Sequence, residues 1–109
     1  MYTFKRFKNS MPSHLLIAVP GDYNKLCEVL GAPKTDVEPG KVRAEWGINL
    51  YKDGVFQGYC YIYDWKCGSL PLEEVYHWNV GGTCRDVVEP LVEFFHQTGI
   101  HKQEQGTLI

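Results

Sequence analysis

Charge of one sign is the first thing this chain lacks. Its 11 Lys and Arg stand against 13 Asp and Glu, which leaves −2 at neutral pH. So mild a balance gives no overall basic field for duplex nucleic acid. It also falls short of the run of carboxylates that a DNA mimic needs. Long apolar stretches are missing as well. No run approaches the roughly 20 residues of a membrane-spanning helix, and the first residues lack the apolar region and small residues of a signal peptide. A cytoplasmic place follows as the expectation. Cys27, Cys60, Cys67 and Cys84 form no C-x-x-C pair, so reduced thiols, mostly in the core, are expected.

Catalytic signatures are missing too. Cys, His and Asp all occur, but no local nucleophile motif surrounds any of them. Cys60, Cys67 and His77 stand near strand ends, and the seven-residue step between the two cysteines is not a zinc-knuckle spacing. His96 and His101 flank a helix stop. Glu73 and Glu74 are adjacent, and adjacent strand residues point to opposite faces, so they are no acid/base pair. No catalytic residue, metal ligand or cofactor is assigned.

What is present is aromatic. Seven Tyr, three Trp and five Phe make up 14% of 109 residues. That length suits a single domain, residues 1–109, with a core that needs no staples. Aromatics favour strands and contact surfaces.

The elements read in order. Residues 1–10 carry Lys5, Arg6 and Lys8 and form a basic edge strand or an anion-binding arm. Leu15 to Val19 is a buried strand. Asp22 caps a helix whose Tyr23, Leu26, Cys27 and Leu30 share one face, and Gly31 and Pro33 stop it. Residues 34–40 read as a polar loop. Val42 to Leu50 alternates with period two, and Asp53-Gly54 is a strong two-residue hairpin signal. The return strand runs from Val55 to about Lys66. A further strand spans Glu74 to Val80. Gly81-Gly82-Thr83 then leads into a second helix, with Thr83 as its cap, Pro90 marking a kink or a separate first turn, and Gly99 as its end. Residues 101–109 read as a loose tail. The sum is a two-layer α+β domain, β-α-β-β-β-α, with about four mainly antiparallel strands and two helices.

A two-residue turn dictates the hairpin register. It sets Trp46 opposite Tyr61, Ile48 opposite Tyr59, Ala44 opposite Tyr63 and Val42 opposite Trp65. The other face pairs Arg43 with Asp64 and Glu45 with Ile62. A slip of one residue reverses the two faces. As several tyrosines on one strand suit a half-wet surface, the aromatic face is core, a self-association surface or a ligand platform.

Two candidate sites emerge. Unpaired amides after Gly81, Gly82 and Thr83, at a helix start, suit phosphate. Arg85 in that first turn is unfavourable for the helix unless an anion approaches. Trp46, Trp65 and Trp78 are candidates for stacking on a base, with Arg43 and Lys66 adding charge. The plainer alternatives are a simple cap, core aromatics and an Arg43–Asp64 cross-strand ion pair.

The segments Leu26…Leu30-Gly31-Ala32-Pro33, Gly40-Lys41-Val42, Trp46, Ile62-Tyr63-Asp64-Trp65-Lys66 and Trp78-Asn79-Val80-Gly81-Gly82 together resemble a group of small phage and prophage proteins. The resemblance spans residues 22 to about 95, and the IYDWK and W-x-V-G-G segments are its most specific parts. It implies a class. Small phage proteins of this kind commonly counter host defence, either as sponges that sequester a nucleotide immune signal, similar to anti-CBASS and anti-Thoeris sponges, or as inhibitors that occlude a host enzyme. The sponge expectation is a nucleotide second messenger held uncleaved in the host cytoplasm, by a homo-oligomer, with no duplex nucleic acid or membrane as partner. A small structural phage protein is the remaining alternative.

Overall fold

The computed structural model describes residues 1–8 and 10–101. The chain runs β1 Tyr2–Arg6, β2 His14–Pro20, α1 Tyr23–Leu30, β3 Lys34–Glu38, β4 Val42–Lys52, β5 Val55–Tyr63, β6 His77–Gly82 and α2 Val88–Thr98. Single 3-10 turns at Leu72–Glu74 and Arg85–Val87 precede β6 and α2. Every strand pairing is antiparallel, in the order β1-β4-β5-β6-β2, with β3 also on β4. The expected α+β class with two helices stands. The sheet, however, has six strands and not about four.

The two additional strands share one edge of β4. The basic N-terminal segment pairs Arg6 with Ile48 and Tyr2 with Lys52, so it is an edge strand. Tyr2 is tied further to α2: its amide donates to Gln97 Oε1 at 2.9 Å, and its hydroxyl donates to Glu93. Residues 34–38, expected as a polar loop, form β3 and pair Lys34 with Glu45. Their exposure explains the polar composition, because an edge strand on the open side of a sheet has little apolar surface to bury.

The first helix follows its sequence signals. Asp22 accepts the Lys25 amide at 2.9 Å, and Gly31 closes the helix at φ +92°. The second begins later than expected. Thr83 caps nothing; the chain makes a 3-10 turn and then starts α2 at Val88, so Pro90 falls in the first turn, where its missing N–H is harmless. Gly99 ends it in the left-handed region, as expected. The expected strand from Glu74 instead starts at His77, after a turn. Beyond His101 the expected tail lies outside the described residues.

The core lies between the helices and one face of the sheet. Leu26, Leu30, Leu91, Phe94 and Phe95 meet Ala44, Trp46, Ile48, Leu50, Ile62, Trp78 and Val80, all buried. No helix among the described residues is long and apolar enough to cross a membrane.

Register decides which side chains join this core. Near the turn the hairpin pairs as expected, Lys52 with Val55 and Tyr51 with Phe56. A bulge at Gln57 then shifts every later pair by one. Trp46 faces Ile62, Ile48 faces Cys60, Gly47 faces Tyr61, Asn49 faces Tyr59 and Glu45 faces Tyr63. The expected pairing of Trp46, Ile48 and Ala44 with tyrosines is overturned. Cys60 and Ile62 point into the core, and Tyr59, Tyr61 and Tyr63 point to the opposite face.

Candidate functional site

Among the described residues, no helix covers that opposite face. Phe7, Met11 and Pro12 lie against it instead. Phe7 sits edge-on to Tyr59 and Tyr61, with ring centroids at 5.9 and 5.2 Å. Gly47 makes the seat: a Cβ there would lie 2.7 Å from the Phe7 ring. Tyr59 donates its hydroxyl to the Pro12 carbonyl at 2.7 Å, and the Tyr61 hydroxyl accepts the Met11 amide at 2.8 Å. Both phenols thus find the partners that tyrosines require away from bulk water.

Beside these residues lies a cleft of about 430 Å³, lined by Tyr61, Tyr63, Trp65, Lys34, Glu45 and Met11 among others. An adjoining hollow of about 320 Å³ shares Lys34, Glu45 and Tyr61 and adds Arg6, Phe7 and Lys8. Together they make one groove with an aromatic wall and cations along its side. Trp65 is 42% exposed. Its ring stands edge-on to Tyr63 at 6.4 Å, and Lys66 Nζ lies 5.4 Å from its centroid. Arg6 is already committed, donating to the carbonyls of Leu30 and Ala32 at 2.8 and 3.0 Å.

The electrostatics are those of a half-dry surface. Burial pushes the Glu45 carboxyl above its ordinary range, and Lys34, its cross-strand partner, pulls it back. Burial also raises the Tyr63 hydroxyl; a hydrogen bond with Asn79 opposes the shift and the Glu45 charge adds to it. The cleft's charged lining is Lys34 against Glu38 and Glu45, with Arg6 and Lys8 in the adjoining hollow, and its aromatic wall suits a flat ligand.

Asp64 anchors the loop that presents Trp65. It is fully buried at the end of β5. Its carboxylate accepts the amides of Arg43 and Ala44 at 2.8 and 3.0 Å, and Arg43 Nε at 3.2 Å. Lys66, at φ +53°, then turns the chain, and its amide donates to the Lys41 carbonyl at 2.8 Å. The most distinctive segment of the sequence is therefore a latch. Asp64 holds, and Trp65 is displayed.

The nine candidate residues do not form one site. Trp46 and Trp78 are fully buried and donate their indole N–H groups to the carbonyls of Gly31 and Gly21 at 2.8 and 3.0 Å. Neither presents a face on which a base could stack, so their assignment as ligand platforms is replaced by a core role. Gly81 and Gly82 are buried inside β6. Thr83 lies 3.3 Å from the Tyr59 hydroxyl, and Arg85 donates to the Leu16 carbonyl at 2.9 Å. The expected phosphate cradle is not assembled there, because α2 starts five residues after Thr83 and Arg85 serves the β2 edge. Trp65 and Lys66 adjoin, with Lys66 Nζ 5.4 Å from the Trp65 ring centroid, while Arg43 is tied to Asp64 and lines a different cleft from Trp65.

The sequence places Tyr61 and Tyr63 on an aromatic face that is core, self-association surface or ligand platform, without singling them out as site residues, and it does not point to Lys34 or Glu45. The signal for the tyrosines was their alternation with Cys60 and Ile62, which assigns all three of Tyr59, Tyr61 and Tyr63 to one face in either register. No family model, curated protein or solved structure matches this chain.

Proposed function

We propose that the chain is a phage-encoded anti-defence protein that binds a cyclic nucleotide, or a related nucleotide immune signal, in the outer-face groove and holds it uncleaved. The observation that carries this is the half-exposed Tyr63–Trp65 wall beside Lys34 in a cleft of about 430 Å³. That volume suits a small-molecule ligand. Stacking of a base on such a wall contributes about 1–3 kcal/mol, and Lys34, with Lys8 in the adjoining hollow, supplies positive charge for phosphate. The phage class comes from the sequence resemblance. A second copy of the chain would close the open side of the groove and make the protein a homo-oligomer in the host cytoplasm.

Calorimetry against a panel of cyclic di- and trinucleotides and ADP-ribose derivatives tests this. Binding by at least one of them, with the ligand recovered intact by chromatography, is the expected result. Silence across the panel would remove the reading, and recovery of cleaved ligand would replace it with an enzyme. The occlusion alternative draws on a different observation, the exposed Val55 and Phe56 at the hairpin tip. It requires a stoichiometric protein partner in pull-downs that Phe56→Ser abolishes.

A further inference from the structure

The sheet register sets one row of side chains across the outer face. Lys34 of β3 pairs with Glu45 of β4, Glu45 with Tyr63 of β5, and Tyr63 with Asn79 of β6. Lys34, Glu45 and Tyr63 line the same cleft as Trp65. Asn79 takes up the Tyr63 hydroxyl in a hydrogen bond, so the ring is what Tyr63 offers a ligand.

Glu45 is the unsatisfied member of this row. Neighbouring acids are engaged, Glu38 with Lys41 at 3.4 Å and Asp64 with Arg43 and two amides. Among the described residues nothing hydrogen-bonds to the half-buried Glu45 carboxylate, and Lys34 acts on it through charge alone. A carboxylate short of donors is stabilised by N–H groups that a ligand brings. When ionised it only accepts, and its two oxygens suit two parallel N–H groups. Of the common bases, guanine alone carries two adjacent donors on its Watson–Crick edge, N1–H and the 2-amino group. Adenine and cytosine set a ring-nitrogen acceptor beside their amino group, and uracil has a single N–H between two carbonyls. Neighbouring strands lie about 4.8 Å apart, so the edge of a base on the Tyr63–Trp65 wall reaches Glu45 one strand away. Lys34, on the other side of the carboxylate, has further N–H groups for the guanine O6.

We infer that the groove selects guanine, with Glu45 accepting N1–H and the 2-amino N–H of a base stacked on the Tyr63–Trp65 wall. This rests on the groove being the nucleotide site proposed above. Unlike an anion that only feels its charge, a guanine ligand needs Glu45 ionised.

Calorimetry of the intact chain with cyclic di-GMP, cyclic di-IMP and cyclic di-AMP tests the selectivity. Hypoxanthine keeps O6 and N1–H and lacks only the 2-amino group. Cyclic di-GMP is expected to bind about tenfold more tightly than cyclic di-IMP, and cyclic di-AMP more weakly than either. In Glu45→Ala the advantage of cyclic di-GMP over cyclic di-IMP is expected to vanish. The ligand series on the parent chain stands even where that variant fails to fold. Equal affinity for cyclic di-GMP and cyclic di-IMP, tighter binding of cyclic di-AMP, or an advantage that survives in Glu45→Ala would overturn guanine selection and leave the groove in place. Silence from all three, with binding of an ADP-ribose derivative, does the same. Silence across the whole panel removes the groove reading and this one together.

Discussion

Asp64 accepts both the amide and the side-chain Nε of Arg43, at 2.8 and 3.2 Å, and so continues with a carboxylate the ladder that β5 leaves off at Tyr63. The Ala44 amide shares Oδ1 with the Arg43 amide, at 3.0 Å, while Nε takes Oδ2. Arg43 is 34% exposed, so solvent screens its charge, and the two amides count for more than the ion pair. Asp64→Ala strands these donors and is expected to cost roughly 3–5 kcal/mol. Asp64→Asn keeps an acceptor for the amides and is expected to cost less than half as much. Urea denaturation measures both. An unfolding midpoint for Asp64→Ala equal to that of the parent would show that the latch is not structural.

Gly58 is where the hairpin changes register. It sits at φ +136°, and a Cβ there would lie 3.1 Å from that of Val87. Gly58→Ala therefore meets both backbone strain and a clash with the turn before α2. The expected loss is roughly 1–3 kcal/mol. The same denaturation series reads it, and an unchanged midpoint would mean that the bulge tolerates an ordinary residue.

This bulge also explains what the sequence could and could not convey. Asp22, Gly31 and Gly99 mark the helix ends by local chemistry, and the Asp53-Gly54 turn is local too; each was legible. A single extra residue at Gln57 is not a local signal. Alternation on each strand is unchanged by it, yet it exchanges the faces that the two strands share. The stacking role assigned to Trp46 and Trp78 failed for another reason. Both indoles satisfy their N–H groups on glycine carbonyls within the core, and no periodicity reveals such a partner. Residues 34–40 have the composition of a loop because the edge strand within them, β3, is exposed to water.

Glu45 gives the groove a pH dependence. Burial holds its carboxyl above the ordinary 4.5, against the pull of Lys34. A folded state with the higher pKa binds the proton more tightly, so stability falls as pH rises from about 4.5 through the folded value. Glu45→Gln removes the half-buried charge. It is expected to stabilise the protein at neutral pH, with the advantage closing as pH falls below the carboxylate range. Affinity for an anionic ligand is expected to rise on acidification in the parent and to stay flat in the variant. Thermal denaturation and ligand titration across pH check both, and an advantage that does not vary with pH would place its cause in packing.

Of the three tryptophans, Trp46 and Trp78 are fully buried and Trp65 is exposed. Its emission therefore lies to the red of the other two and reports the groove alone. Fluorescence titration with the best ligand from the nucleotide panel is the most direct measurement of base stacking on the Tyr63–Trp65 wall. The expected result is saturable quenching of the red component, absent in Trp65→Phe, with binding at least tenfold weaker in Trp65→Ala. Binding of that ligand with no change in the red component, or with the same affinity in Trp65→Ala, would contradict a groove built around Trp65.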